Sequence, residues 1–150
     1  MASMKWNHRM LGLARHVASW SKDPSTKVGA VLADEHNRVI SLGFNGPPRG
    51  ADDSPTSRDR KLRRTIHAEN NAILFAQRDL TGTTLYCTHH PCGPCAAMIA
   101  QAGISRVVVP SDGLLGSRWD SDVVEAKNTF KDTGIEFLEI VSQPEQPLED

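Results

Sequence analysis

The chain contains no run of about 18 apolar residues and no leader of basic residues followed by an apolar stretch. A membrane-spanning helix and a secretory signal are therefore not expected, and the expected setting is cytoplasmic. Net charge is nearly absent, with 17 Lys and Arg against 18 Asp and Glu. No global field draws the chain to nucleic acid. Cysteines number only three. Two of them stand three residues apart as if sharing a metal, which leaves no pair for a disulfide and suits a reducing compartment. There is no internal repeat and no low-complexity segment. What remains is 150 residues with 39% hydrophobic and 23% charged side chains, ordinary for one globular domain with room for a core. We expect that domain over residues 1–141, followed by a loose tail at 142–150 that holds three acids and two prolines.

The stretch Thr88-His89-His90-Pro91-Cys92-Gly93-Pro94-Cys95 and the triplet His67-Ala68-Glu69 carry the chemistry. Each leads into a helix-like run, Ala96 to Ala100 in one case and Ala68 to Ala76 in the other. A Cys-x-x-Cys turn aims two thiolates at one point, and a histidine from a second helix start can close the triangle. Three protein ligands leave the fourth tetrahedral position of a zinc ion open, which is what a catalytic zinc needs. Zinc lowers the pKa of its bound water to about 7, so hydroxide is available at neutral pH. Helix starts carry unpaired N–H groups that favour thiolate over thiol. Glu69, two residues after His67, can reach the open position without being a ligand, as a proton shuttle must.

Taken alone, a Cys-x-x-Cys is as readily redox-active or structural as catalytic, and a lone His-x-Glu means little. A fourth ligand would suggest a closed structural site. The remaining cysteine, Cys87, lies on an expected strand five residues before Cys92 and reads as a buried core thiol. The combination is more specific. His-x-Glu followed by Pro-Cys-x-x-Cys, with its first cysteine 25 residues after the histidine, is the known signature of zinc nucleobase deaminases, so this step is recognition of a pattern rather than a derivation.

The rest of the chain supplies a frame. Met4 to Trp20 reads as a helix whose apolar stripe is Trp6, Met10, Leu13, Val17 and Trp20. Lys27–Ala33 and Arg38–Phe44 read as a hairpin around Asp34-Glu35-His36-Asn37. Asn45 to Arg64 reads as a long structureless loop, of the kind that is usually functional. It ends in Arg58-Asp59-Arg60-Lys61-Leu62-Arg63-Arg64, with five basic residues in seven. That run is either a solvated face or a site for a phosphate or a neighbouring subunit's carboxylates. After the His67 helix come a strand at Thr83–Cys87, the Cys-x-x-Cys helix, and a strand at Arg106–Pro110. A Gly-rich loop then spans Ser111–Ser117, at the strand end where α/β sheets keep ligands. A helix opening at Trp119 or Asp120 and a strand at Ile135–Ile140 close the pattern. The order α-β-β-α-β-α-β-α-β predicts an α/β fold, a mixed five-stranded sheet with helices on both faces.

From Lys5 to about Ile140 the chain resembles the deoxycytidylate (dCMP) deaminase family, within the cytidine deaminase superfamily. The superfamily likeness rests on His67-Ala68-Glu69 and Pro91-Cys92-Gly93-Pro94-Cys95. The narrower likeness rests on Lys27-Val28-Gly29-Ala30-Val31, on Gly43-Phe44-Asn45-Gly46-Pro47-Pro48-Arg49-Gly50 and on the long insertion before His67. Arg118-Trp119-Asp120 and Thr133-Gly134-Ile135 add to it. The resemblance implies a cytidine deaminase-like fold and the conversion of dCMP and water to dUMP and ammonia. It implies that His67, Cys92 and Cys95 hold one Zn²⁺ per chain and that Glu69 moves protons. It sets Asn45 against the sugar or base, and the Ala68 N–H and His90 C=O against O2 and the amino group of the pyrimidine. It sets Arg118 and Trp119 at the 5′-phosphate. It sets Lys27 and Arg49 at a regulatory site, where dCTP activates and dTTP inhibits with Mg²⁺ on the triphosphate, in a homohexamer. Ile66 departs from the family pattern, which often has cysteine there; no catalytic consequence is expected.

Three rival readings share the zinc motif. A tRNA adenosine deaminase would use the basic run 58–64, although near-zero net charge and the lack of a broad basic stripe speak against nucleic acid. A non-catalytic, nucleotide-sensing zinc module would have no use for Glu69. A deaminase of another small base would look the same at the zinc motif.

Overall fold

The computed structural model describes residues 3–51, 57–114 and 120–142. Its sheet starts from a tight turn. The Asp34 carboxylate accepts hydrogen bonds from the N–H groups of His36 (2.8 Å) and Arg38 (3.0 Å). Asn37 takes the left-handed conformation, φ 60°, that asparagine tolerates. This closes β1 (Gly29–Ala33) onto β2 (Val39–Phe44) as an antiparallel hairpin. β1 also pairs antiparallel with β3 (Thr84–Cys87). Helices α4 (Gly93–Gln101) and α5 (Ser121–Thr133) return the chain to the same end of the sheet. Crossovers of that kind make β3, β4 (Arg106–Pro110) and β5 (Glu136–Ile140) mutually parallel. The strand order is β2-β1-β3-β4-β5.

Strand residues two apart share a face, and that parity splits the core. Ala30, Leu32, Leu85, Cys87, Val107 and Val109 face one side with Ala68 and Ala72 of α3 (Ala68–Ala76), Ala96 and Ile99 of α4, and Ala126 and Phe130 of α5. Val31, Ala33, Tyr86 and Val108 face the other, under Met10, Leu11 and Ala14 of α1 (Met4–Ala18). The mixed five-stranded sheet with helices on both faces is therefore as expected.

Two expectations need correction. The buried stripe of α1 is Asn7, Met10, Leu11, Ala14, Val17 and Ala18, rotated from the expected one. Trp20 lies beyond the helix end and is 47% exposed. The cause is a close approach: a Cβ on Gly29 would lie 2.0 Å from the Ala14 carbonyl oxygen, so only small residues fit where α1 crosses β1. Asn7 is buried because its side-chain oxygen accepts from the Arg106 guanidinium at 2.7 Å. The second correction concerns the insertion. Residues 58–64, expected as loop, form a helix, α2 (Arg58–Arg64), which buries none of its residues. The Ser57 hydroxyl accepts from the Arg60 N–H (3.3 Å) as its N-cap. Asp59 and Arg63 pair along it at 3.2 Å, and Lys61 reaches Asp23 at 3.3 Å. A two-bond bridge between Gly46 and Ile66 ties the ends of the insertion together. Most of the expected C-terminal tail, 143–150, lies outside the described residues.

Candidate active site

Two helix starts meet at one corner. His67 is the N-cap of α3 and Cys92 the N-cap of α4, both with extended backbone (ψ 155° and 170°). Caps are commonly Ser, Thr, Asp or Asn, whose side chains fold back onto the helix. Neither His67 nor Cys92 makes such a bond, so both side chains are free to point elsewhere. Pro94 in the first turn of α4 suits a position with no N–H obligation.

Glycines set how closely the parts approach. A Cβ on Gly43 of β2 would lie 2.2 Å from the Ala68 carbonyl oxygen and 2.4 Å from the Ala72 nitrogen, so α3 rests directly on the strand. A Cβ on Gly113 would meet the Thr88 carbonyl oxygen at 2.5 Å. The Gly113 carbonyl accepts from the His90 N–H at 2.8 Å. The loop after β4 thus holds the approach to Cys92. The His90 ring is buried edge-on to Phe137, with centroids 5.6 Å apart. Its Nε2 stands 3.9 Å from Glu139, whose other oxygen pairs with Lys127 at 2.9 Å.

The ligand atoms of His67, Cys92 and Cys95 all lie within 4.8 Å of one another. His67 Nδ1 is 3.1 Å from Cys95 Sγ and 3.5 Å from Cys92 Sγ. Zinc bonds of about 2.0–2.1 Å to nitrogen and about 2.3 Å to sulfur would set such a pair about 3.5 Å apart at tetrahedral angles. The donor set and its spacing therefore fit zinc. The electrostatics agree. The Cys92 thiol is brought down to about 4, first by its bond with Cys95 and then by His67, against burial that pushes it up. Cys95 is held well above the ordinary thiol range by the same bond, by burial and by Glu69. His67 is raised by its bond to Cys92, against burial. Of the two thiols Cys92 is therefore the more readily ionised, and ligation of a zinc ion would require both as thiolates.

Glu69 sits in the first turn of α3, is 4% exposed, and is outside the ligand trio. Its charge still reaches both His67 and Cys95. Cys87 donates its thiol proton to Glu69 Oε1 at 3.2 Å. Cys87, expected as a buried core thiol, is buried, and it also contacts the glutamate. Strand parity carried the missing signal, since Cys87 shares the face covered by α3.

The other expected site residues separate. Ala68 is buried at the first position of α3, where an N–H has no partner within the helix. Asn45 is buried, and its amide is committed to the chain before β1: Oδ1 accepts from the Val28 N–H and Nδ2 donates to the Thr26 carbonyl, both at 2.9 Å. One N–H and one lone pair remain for a ligand. Arg49 is exposed over the Phe75 ring (5.5 Å) in a groove of about 810 Å³ beside β2. Lys27 is exposed and does not line that groove. Arg118 and Trp119 lie outside the described residues.

Comparison with known proteins agrees with this geometry. The family model for the cytidine and deoxycytidylate deaminase zinc-binding region matches residues 4–111. An uncharacterized deaminase in the luxG 3′ region of Aliivibrio fischeri is 48% identical over 136 residues, covering 88% of this chain and 91% of that one. Deoxycytidylate deaminase of Mus musculus is 34% identical over 143 residues, covering 89% and 79%. The crystal structure of dCMP deaminase from the cyanophage S-TIM5, in complex with dCMP and dUMP, superposes with a TM-score of 0.78 over 93% of this chain and 100% of that one. At 23% identity that likeness speaks for the fold. Motif, donor geometry and family match converge: the chain belongs to the cytidine and deoxycytidylate deaminase family and is a zinc-dependent hydrolytic deaminase.

Proposed function

We propose that the substrate is dCMP, which one water converts to dUMP and ammonia in a single domain over residues 1–141. The chemistry rests on one observation above the rest: a buried glutamate beside the ligand trio but not in it. The choice of dCMP is supported by likeness to deoxycytidylate deaminases over most of the chain. His67, Cys92 and Cys95 would hold the zinc, which when bound supplies hydroxide at neutral pH.

Glu69 carries two protons in sequence. It first takes one from water and delivers it to N3 of the pyrimidine as C4 gains its oxygen. It then moves the proton of that C4 hydroxyl to the amine. The C4–N bond breaks, ammonia leaves and C4=O remains. Ala68, at the helix start, offers its N–H to O2. The His90 carbonyl, held by the loop at Gly113, faces the amino group. Asn45 uses its remaining N–H toward the sugar or base. Arg118 and Trp119 take the 5′-phosphate. Lys27 and Arg49 belong to regulation by dCTP and dTTP with Mg²⁺, in a cytoplasmic homohexamer. Exposure of Leu74 and Phe75 beside the groove supports an assembled protein, because contiguous apolar surface usually marks contact. Among the described residues no helix is long and apolar enough to cross a membrane.

The test is ammonia release from dCMP, cytidine, dCTP and a tRNA anticodon stem-loop, each with and without dCTP or dTTP and Mg²⁺. The expected result is turnover of dCMP, raised by dCTP and suppressed by dTTP. Turnover of another substrate in place of dCMP overturns the substrate. Turnover of dCMP that ignores both triphosphates removes the regulatory roles of Lys27 and Arg49 alone.

A further inference from the structure

The sheet, not only the two helices, reaches the reacting centre. Cys87 is the last residue of β3, fully buried and paired across the sheet with Ala30. Its Sγ lies 3.2 Å from Oε1 of Glu69. A carboxylate this deeply buried needs donors to offset the water it has lost. Burial, then the charge of Glu69, hold the Cys87 thiol in its protonated form. In the bond between them the sulfur donates and the carboxylate oxygen accepts. Cys95 also reaches Glu69. As a zinc ligand, however, Cys95 would be a thiolate with no proton to give. Cys87 stands outside the ligand trio and keeps its proton.

We propose that Cys87 is a positioning residue for Glu69: its S–H holds Oε1, fixes the rotamer of the carboxylate, and leaves the second oxygen for the two proton transfers. This rests on the reading of Glu69 as the proton carrier. A carboxylate that must serve two different atoms, N3 and then the amine, gains from one oxygen being anchored while the other does the transfer. The anchor comes from the middle of the sheet, whose position is set by pairing on both sides of β3.

The experiment compares the zinc-loaded enzyme with Cys87→Ser, Cys87→Val and Cys87→Ala. Serine keeps a donor but puts a hydroxyl in an apolar core. Valine is apolar and somewhat larger than cysteine, and removes the donor. If Cys87 positions Glu69, kcat on dCMP falls by roughly 10- to 100-fold in the valine variant, as small misplacements of a reacting group do. KM and zinc content stay near wild type. Serine recovers most of kcat even though its melting temperature is the lower of the two. Alanine, which also lacks the donor but strains nothing, follows valine in kcat and settles the matter if valine does not fold. A purely structural role gives the opposite ranking, with kcat following thermal stability and valine above serine. That ranking, or wild-type kcat in both donor-free variants, overturns the proposal. Glu69→Ala run alongside separates the two readings. Activity surviving in Glu69→Ala removes the proton carrier itself. Activity lost there but intact in Cys87→Val and Cys87→Ala removes only the anchor.

Discussion

Helix α3 has two working sides, and they are built in opposite ways. At its start, Ala68, Glu69 and Ala72 are buried against the sheet, with backbone touching β2 where only glycine fits. On its outer side Leu74 and Phe75 are 58% and 55% exposed and border an open groove with Trp20, Phe44 and Arg49. The first side is packed closely on the sheet, as the proton transfer and metal ligation proposed there would need, because reorganising a site during reaction costs rate. The second side is unfinished, with apolar surface whose burial becomes available only when something covers it. The lesson is that one short helix can be close-packed on one side and open on the other.

The largest effects are expected on the close-packed side, and they should be separable. Cys92→Ala should lose zinc and with it activity. Glu69→Ala should keep zinc and lose activity by about 10²–10⁴-fold or more, the usual range for a general acid–base group. Zinc per chain and kcat, measured on the same samples, check both. Loss of metal with the glutamate would mean that Glu69 is part of the ligand set, and the division of roles would fail.

Gly43 belongs to both regions. It lies under Ala68 and also lines the groove. Gly43→Ala must push α3 off β2, since the obstructing atoms are backbone. We expect a loss of about 1–3 kcal/mol in stability, typical of overpacking, together with lower zinc occupancy and kcat. Gly46→Ala meets nothing within 4 Å and should stay within about 0.5 kcal/mol of wild type. Urea midpoints and zinc content of the pair read this directly. Equal behaviour of the two variants would show that the contact between β2 and α3 does not hold the site.

The same contrast explains what could be read from the sequence. The grouping of His67, Cys92 and Cys95 was legible because a shared ion would demand fixed residue types at helix starts, and their ligand atoms do lie within 4.8 Å of one another; Glu69 came with the recognised motif. The sheet was legible because hairpin turns and apolar runs are local. The face of α1 was not. It is decided by Gly29 pressing on Ala14 and by Arg106 reaching Asn7, contacts made by residues far apart in the chain. Helix α2 was missed because it buries nothing, so no apolar period announces it. The bonds by which the Asn45 amide staples the chain before β1 were not legible either, since they join residues 17 to 19 positions apart. The Cys87–Glu69 contact needs α3 laid on β3, which no local pattern states.

The smallest effect expected lies at α2, which buries none of its residues. Asp23 accepts from the N–H groups of Ser25 (2.9 Å) and Thr26 (3.1 Å) and pairs with Lys61, and so ties α2 to the chain before β1. Burial pushes its carboxyl up, but these bonds win and bring it from 3.8 to about 2. A carboxyl lowered on folding stabilises the protein above its unfolded pKa and loses that contribution as pH falls through the folded one. The window is therefore about pH 4 down to 2. Both the wild type and Asp23→Asn shed metal on acidification, because ligand protonation competes with zinc. The difference between their urea midpoints is thus the quantity to follow. It should be about 1 kcal/mol or less at pH 5, given solvent screening, and should shrink toward pH 2. A difference that stays constant across that range would show that the Asp23 charge does not tether α2.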